Sequence, residues 1–392
     1  MSLVGLIGIL LGLLAWPFAC VQRTPVRVGV FALLFLAHVA SAVVYYQYVQ
    51  TSSADTAMYY NDPFDQYGTG FGVNTLFIIY VVQFLKTTFG GTYLDYFFVF
   101  QAFGFFGIAL LMRSIEEIYA SLDIEQPLWS YLLLFLPGIH FWTSSIGKDS
   151  LLFTASCLAL WATMHVRRRY IQLALAIGLM ILVRPHIALI AVAAAAWTVL
   201  GDRTTNLFLR TLLFLVSLGG LIVAAATMRS TFALDVTSAD SISDFLAVRE
   251  NVMASSTSDD LGNSAVLNAP YPVKVLSFLF RPLFIDAEGA FGYIASLENV
   301  LFLSITGMVM LRFRTVIAAV KVAPFIRYAL IFSVGVTLAL SIHYYNIGLG
   351  LRQKTMVVPG FLMIFVALAA IRQAQHRAAE IAQPMRARLE AA

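Results

Sequence analysis

Apolar residues gather along this chain in runs of roughly 20, the length an α-helix needs to cross about 30 Å of hydrocarbon. Short polar turns separate most of the runs, and two polar loops are long. The pattern predicts crossing helices near 3–20, 28–48, 94–112, 128–146, 150–166, 171–183, 186–200, 206–228, 291–311, 328–345 and 355–371. Two shorter apolar stretches, 73–85 and 273–285, fall short of a comfortable span and are expected to lie in the interface or to re-enter. The ten-residue alternation of an outer-membrane barrel is missing. The expected fold is therefore all-α: a polytopic transmembrane helical bundle of about 11 crossings plus two short interfacial or re-entrant helices. Residues 1–371 read as a single integral membrane domain and 372–392 as a basic cytoplasmic tail. The first apolar stretch has no basic region ahead of it, so it reads as a retained helix and not a cleaved signal.

Composition narrows the class. Of 392 residues, 60% are hydrophobic and 12% charged, whereas a soluble domain carries about a quarter charged residues. That excludes a soluble enzyme, a disordered chain and a disulfide-stapled secreted domain. Cys20 and Cys157 fall in or beside apolar runs, without metal-ligand spacing around either.

Charge then orients the bundle. With the N-terminus outside and the C-terminus inside, Arg23, Arg27, Arg113, Arg167, Arg168, Arg169, Arg312, Arg314, Lys321 and the basic tail face the cytoplasm, while most acids face outward. This obeys the positive-inside rule. A full crossing at 73–85 would flip every later loop and turn Arg167–Arg169 outward, so it is rejected. The basic balance therefore reports anchoring at an anionic leaflet, not nucleic acid. The expected location is the inner membrane of a bacterium.

Outside, the loop 49–72 has no Lys or Arg and sets Asp55, Asp62 and Asp65 among Tyr59, Tyr60 and Tyr67. The loop 229–272 is rich in Ser and Asp, with Asp235, Asp240, Asp244, Glu250, Asp259 and Asp260. Long loops on a bundle often carry function. Carboxylates interleaved with aromatics suit carbohydrate, because rings stack on sugar faces while carboxylates accept hydroxyl hydrogen bonds. A solvated acidic surface is the plainer reading of the same residues.

Against this acidic background the outward cations stand out. Arg184 lies between two apolar runs in Arg184-Pro185-His186. A charge at such depth is costly unless it faces a cavity or a partner. Pro185 cannot continue the helical ladder and pushes Arg184 towards an extended conformation. The motif is either a break between two helices or a kink in one tilted helix. Arg281-Pro282 repeats the device beside Asp286 and Glu288. Arg352 and Lys354 precede the last helix, and Lys148-Asp149 sits at a tight turn. Together these turns suggest an anion site, since the arginine fork matches phosphate and lysine acts as a point charge. Snorkelling or local pairing, Lys148 with Asp149 and Arg281 with Asp286 or Glu288, is the alternative. His140 reads as a satisfied bundle histidine, His38 and His165 as structural.

These residues also carry a resemblance. Asp55-x-x-x-Tyr59, Gly68-Thr69-Gly70, the run Phe141 to Asp149, Arg184-Pro185-His186, Phe280-Arg281-Pro282 and Arg352-Gln353-Lys354 ahead of Pro359 resemble bacterial polysaccharide-assembly proteins. The series is similar to Wzy/EpsG-like polymerases and, more broadly, to lipid-sugar-dependent glycosyltransferases of the GT-C kind. The resemblance implies periplasmic transfer of a sugar or glycan from a polyprenyl-phosphate or diphosphate carrier to an acceptor hydroxyl on a glycan or lipid. It implies a carboxylate as the catalytic base, for which Asp55 is the match in the first loop, with His186 as a helper. Arg184, Arg281 and Arg352 match phosphate-binding positions, with Tyr59, Lys148, Asp149 and Lys354 in substrate binding. Two departures favour the polymerase-like branch. The acid follows the second helix instead of the first, and a large soluble C-terminal domain is not expected.

No cofactor is expected. Asp62 with Asp55 or Asp65 is the nearest approach to an acidic metal cluster. The lipid tail is expected to enter between helices near 73–85 and 273–285. Expected partners are the polyprenyl-linked donor, the acceptor, membrane lipids and other polysaccharide-assembly proteins. A transporter or flippase also uses broken helices with charges near the midplane, and a non-catalytic export subunit is the third class. No inverted repeat is detected, and polar residues gather on one side.

Overall fold

The computed structural model describes residues 2–200 and 269–390, apart from 21, 53, 343, 345 and 346, together with isolated positions between 207 and 240. Most of the predicted helix 206–228 and most of the loop 229–272, including Asp235, Asp244, Glu250, Asp259 and Asp260, lie outside the described residues.

Every regular element among the described residues is helical. The first half of the chain forms α1 (Leu3–Leu13), α2 (Trp16–Ala19), α3 (Pro25–Tyr48), α4 (Asp55–Asn61), α5 (Thr75–Phe89), α6 (Tyr93–Ser121), α7 (Trp129–Leu132), α8 (Pro137–Thr143), α9 (Lys148–Met164), α10 (Val166–Val183) and α11 (Pro185–Leu200). The second half forms α12 (Tyr271–Phe280), α13 (Gly289–Leu311), α14 (Phe313–Val322), α15 (Pro324–Ser341), α16 (Ile347–Lys354) and α17 (Val358–Glu390). Of these, α3, α6, α13, α15 and the Val358–Ile381 part of α17 are long and apolar enough to cross a membrane. Large apolar side chains cover their outer faces, among them Leu33 and Leu36 on α3 and Leu297 on α13. Such surface is stable against lipid and not against water. The chain is a helical membrane protein.

The central element is α6. Its N-terminus is closed by a capping box in which the Thr92 N–H donates to Asp95 Oδ2 at 2.7 Å, and the other Asp95 oxygen accepts the Ser2 N–H at 3.0 Å. Helices α1, α3 and α9 pack around it. Gly104 permits a close approach: a Cβ there would lie 2.1 Å from the Thr143 carbonyl oxygen. That contact seats α8 and the turn after it against the bundle. Near the far end of α6, Glu116 pairs with Arg27 at 2.9 Å. Glu117 next to it takes Arg113 and both terminal nitrogens of Arg169, whose guanidinium lies 3.8 Å over the Trp161 ring.

Several predicted elements change form. The 128–146 crossing is not one helix: α7, a 3₁₀ turn over Leu133–Phe135 and α8 replace it, with Pro137 starting α8. Arg184 has φ −148° and ψ 88°, so Arg-Pro-His is a break between α10 and α11 and not a kink. The apolar stretches 73–85 and 273–285 are the separate short helices α5 and α12. The boundary at 371 falls inside the unbroken helix α17. Helix α14 was not among the predicted elements. It buries Val316 and Ala319 while Arg314 is exposed, an amphipathic pattern that a search for long apolar runs passes over.

Candidate functional site

Helix α4 carries the first-loop carboxylate. It has only seven residues, too few to be stable alone, so the structure clamps it. The Gln83 side-chain amide donates to the carbonyls of Tyr59 at 3.0 Å and Tyr60 at 2.7 Å, and Lys86 Nζ donates to Tyr60 O at 2.9 Å. The Lys86 ammonium and the Gln83 amide close C-terminal carbonyls that a helix leaves open. Thr56 and Tyr93 share a hydroxyl hydrogen bond of 2.6 Å at its other end. Asp62, just beyond α4, spends both carboxylate oxygens on the N–H groups of Gln66 and Tyr67, each at 2.8 Å. It is a loop staple.

The turn before α9 supplies Lys148 and Asp149. Gly147 adopts φ +149°, and a Cβ there would stand 3.2 Å from Tyr59 Cε2 and 3.8 Å from Arg352 Nη2. Both the backbone conformation and the lack of space require glycine. Gly147→Ala is expected to destabilise the protein by about 1–3 kcal/mol, read as a lower melting temperature in detergent. An unchanged melting temperature would show that the turn tolerates a side chain.

Four segments converge at this turn. Arg352, on the short helix α16, donates from Nη1 to Asp55 Oδ2 at 2.8 Å and from Nε to Asp149 Oδ2. Arg184, at the α10–α11 break, places Nη2 3.9 Å from Asp149 Oδ1. Lys148 Nζ donates to Thr75 Oγ1 at 2.8 Å, and the Asn74 N–H next to Thr75 donates to Leu182 O at 2.7 Å. That pair of bonds ties the start of α5 to both the turn and the break. Tyr59 lies buried beneath Gly147.

Three cations thus face two carboxylates, leaving a net positive centre. Burial alone would lower the pKa of Arg352, but Asp149 and then Asp55 outweigh it and hold the guanidinium well above its ordinary value. Burial, reinforced by Asp55, pushes the Tyr59 phenol upward, so it stays a neutral donor. Arg184 is held differently. Among the described residues, its Nε and Asp149 Oδ1 are both buried without a hydrogen-bond partner. A buried unsatisfied donor costs about 1–3 kcal/mol, more when charged. Such a donor is suited to an oxyanion arriving at this spot.

Three candidate residues stand apart. Arg281 pairs with Asp286, whose other oxygen accepts the Leu283 N–H; the local-pairing alternative describes it. Lys354 is buried and donates to Asn299 Oδ1. His186 is exposed on the first turn of α11. His140 and His38 are buried with their Nδ1 atoms 3.3 Å apart, and each is bonded through Nε2 to a backbone carbonyl oxygen.

Beside the ion cluster lies a cavity of about 430 Å³. Tyr48, Phe141, Trp142 and Phe291 give it aromatic walls. Asp286, Glu288, Glu298 and Lys354 provide its polar groups. Glu298 accepts the Gly138 N–H at 2.6 Å. Helix α16 separates the two places: Leu351 and Lys354, on one face of the helix, line the cavity, while Arg352 turns into the ion cluster. Sequence reasoning missed Thr75, Gln83, Glu298 and Asn299. Glu298 carried a signal, as the one acid inside the apolar run 291–311. Thr75 and Gln83 carried none, because only the folded chain brings them to Lys148 and α4. Among the described residues no three His, Cys, Asp or Glu side chains are grouped as metal ligands. No family model, curated protein or solved structure matches the chain.

Proposed function

We propose that this protein is a bacterial inner-membrane glycosyltransferase or polysaccharide polymerase of GT-C-like, multi-pass architecture. It transfers a sugar or glycan from a polyprenyl-(di)phosphate carrier to an acceptor hydroxyl on the periplasmic side. The convergence of Asp55, Lys148, Asp149, Arg184 and Arg352 from four separate segments carries this reading. Neither a lipid-facing helix nor a simple anchor gathers three cations and two carboxylates at helix breaks.

In the proposed reaction Asp55 accepts the proton of the acceptor hydroxyl. The acceptor oxygen bonds to the anomeric carbon as the bond from that carbon to the carrier phosphate oxygen breaks. A positioned carboxylate speeds such a step by roughly 10²–10⁴-fold. The charge that grows on the leaving phosphate falls to Arg184 and Lys148, with Arg352 between phosphate and carboxylates. Arriving phosphate competes with Asp55 for Arg352, which frees Asp55 to act as base. Asp149 keeps Arg352 in place throughout. The acceptor glycan is assigned to the aromatic-walled cavity, where ring faces stack on sugars and carboxylates take hydroxyl hydrogen bonds. The apolar helices α5 and α12 are assigned to the prenyl chain. Arg281 and Lys354 serve the cavity side in this scheme, and His186 lies at its margin.

Arg184→Ala tests the reading. It removes the donor with an unpaired N–H and is expected to lower glycan transfer by about 10²–10³-fold, with the protein still inserted in the membrane. Surface glycan measured in cells reports the loss. Normal glycan from the variant would sink the assignment.

A further inference from the structure

The opposite end of the bundle holds a second basic place. Helix α17 starts at Val358, next to the ion cluster, and Arg372 comes fourteen residues later, about 21 Å along the axis. Helix α13 starts beside the aromatic cavity and ends at Leu311, roughly 35 Å away. There Arg312, Arg372 and His376 meet Trp129, Met308 and Phe365 around a cavity of about 490 Å³. A neighbouring cavity of about 300 Å³ shares Arg312, Leu368 and Arg372 with it and adds Thr315. Among the described residues no carboxylate lines either cavity. Among the described residues neither arginine forms an ion pair. That sets them apart from Arg27, Arg113 and Arg169, which the acids at the end of α6 neutralise.

Two guanidinium groups with no ion pair among the described residues, Arg312 at the end of α13 and Arg372 on α17, stand above a floor of Trp129, Met308 and Phe365 and form an amphipathic cradle. Trp129 is fixed there by an edge contact with Phe365, the ring centroids 5.8 Å apart. Met310 and Leu311, largely exposed, continue the apolar surface beside it. We propose that this place binds a phosphate group, with the phosphodiester headgroup of an anionic phospholipid as its occupant. Each arginine fork can offer two parallel N–H donors to phosphate oxygens. The apolar floor takes the first carbons of the acyl chains, and the indole suits the headgroup boundary. Basic pockets between membrane helices bind lipid headgroups in this manner. A bound lipid would pin the end of α13, the amphipathic helix α14 and α17 to one another. The inference does not depend on the transferase reading.

The test uses the full-length protein in detergent, with native mass spectrometry counting bound lipid after addition of phosphatidylglycerol or phosphatidylcholine. Phosphatidylglycerol is expected to be retained over phosphatidylcholine, and R312Q/R372Q is expected to reduce its retention about tenfold. R314Q changes an exposed arginine outside both linings and is expected to retain the lipid fully. R312K/R372K keeps the charge and loses the forks; it should melt like the parent yet hold phosphatidylglycerol more weakly. Equal retention by R312Q/R372Q, an equal loss in R314Q, or full retention by R312K/R372K would each overturn the proposal. So would displacement of the lipid by millimolar inorganic phosphate, which would assign the cradle to a soluble phosphate.

Discussion

Replacing Arg352 with glutamine is expected to abolish the proposed glycan transfer and to lower the melting temperature of the protein at the same time. Arg352 holds the buried Asp149 and the half-exposed Asp55 together from one guanidinium. Removing one partner of a buried ion pair leaves a charge with no compensation, at a cost of about 3–5 kcal/mol. The catalytic loss is separate: a preorganised donor at developing negative charge is worth about 10²–10³-fold. Arg352→Lys distinguishes the two effects. A lysine keeps one positive charge near Asp149 and should recover much of the melting temperature. It cannot reach Asp149 and Asp55 along two directions at once, so most of the rate should remain lost. Initial rates in membrane vesicles, paired with thermal melts, check this. A glutamine variant with near-parental rate would show that the cluster is structural alone.

The second large effect is expected at Asp55. Its side chain is 51% exposed and bonded to a single partner, so Asp55→Asn should leave melting nearly unchanged. The rate should fall by roughly 10²–10⁴-fold, because asparagine cannot take the acceptor proton. Freed from one carboxylate, Arg352 would attract the carrier phosphate at least as well as before. The expected signature is therefore a lower kcat with a donor KM that does not rise. A raised KM with unchanged kcat would instead make Asp55 a positioning residue for Arg352.

Much of the site was visible before the fold. Lys148, Arg184 and Arg352 were each conspicuous as charges at turns or helix breaks in an apolar chain, where a charge is costly without a purpose, and Asp55 as one of three acids in the loop 49–72. Their grouping was not visible. Arg352 and Asp55 are 297 positions apart in the chain, and no periodicity in either segment points to the other. Arg281 looked the same as Arg184 in sequence, each followed by proline. The fold separates them: Asp286, five positions after Arg281, reaches back to it, whereas no acid stands close to Arg184 in sequence and it meets Asp149 only across the fold. The pairing of Lys148 was likewise undecided. Asp149 is adjacent to it, yet Arg352 takes that carboxylate and Lys148 turns to Thr75.

Residue pattern alone determined that this chain is helical and belongs in a membrane, since 20-residue apolar runs bury their backbone polar groups only as helices in lipid. It also marked Pro185 as a break or a kink, because proline removes a donor and restricts the residue before it wherever it stands; the fold made it a break and split the 128–146 run as well. Tertiary structure decided which breaks meet. Gly104 lets α8 close on α6, Gly147 lets the turn close on Tyr59, and Gln83 holds α4 at the angle that aims Asp55 at Arg352. Such contacts depend on how whole helices pack, and packing is set by many side chains at once rather than by any local stretch of sequence.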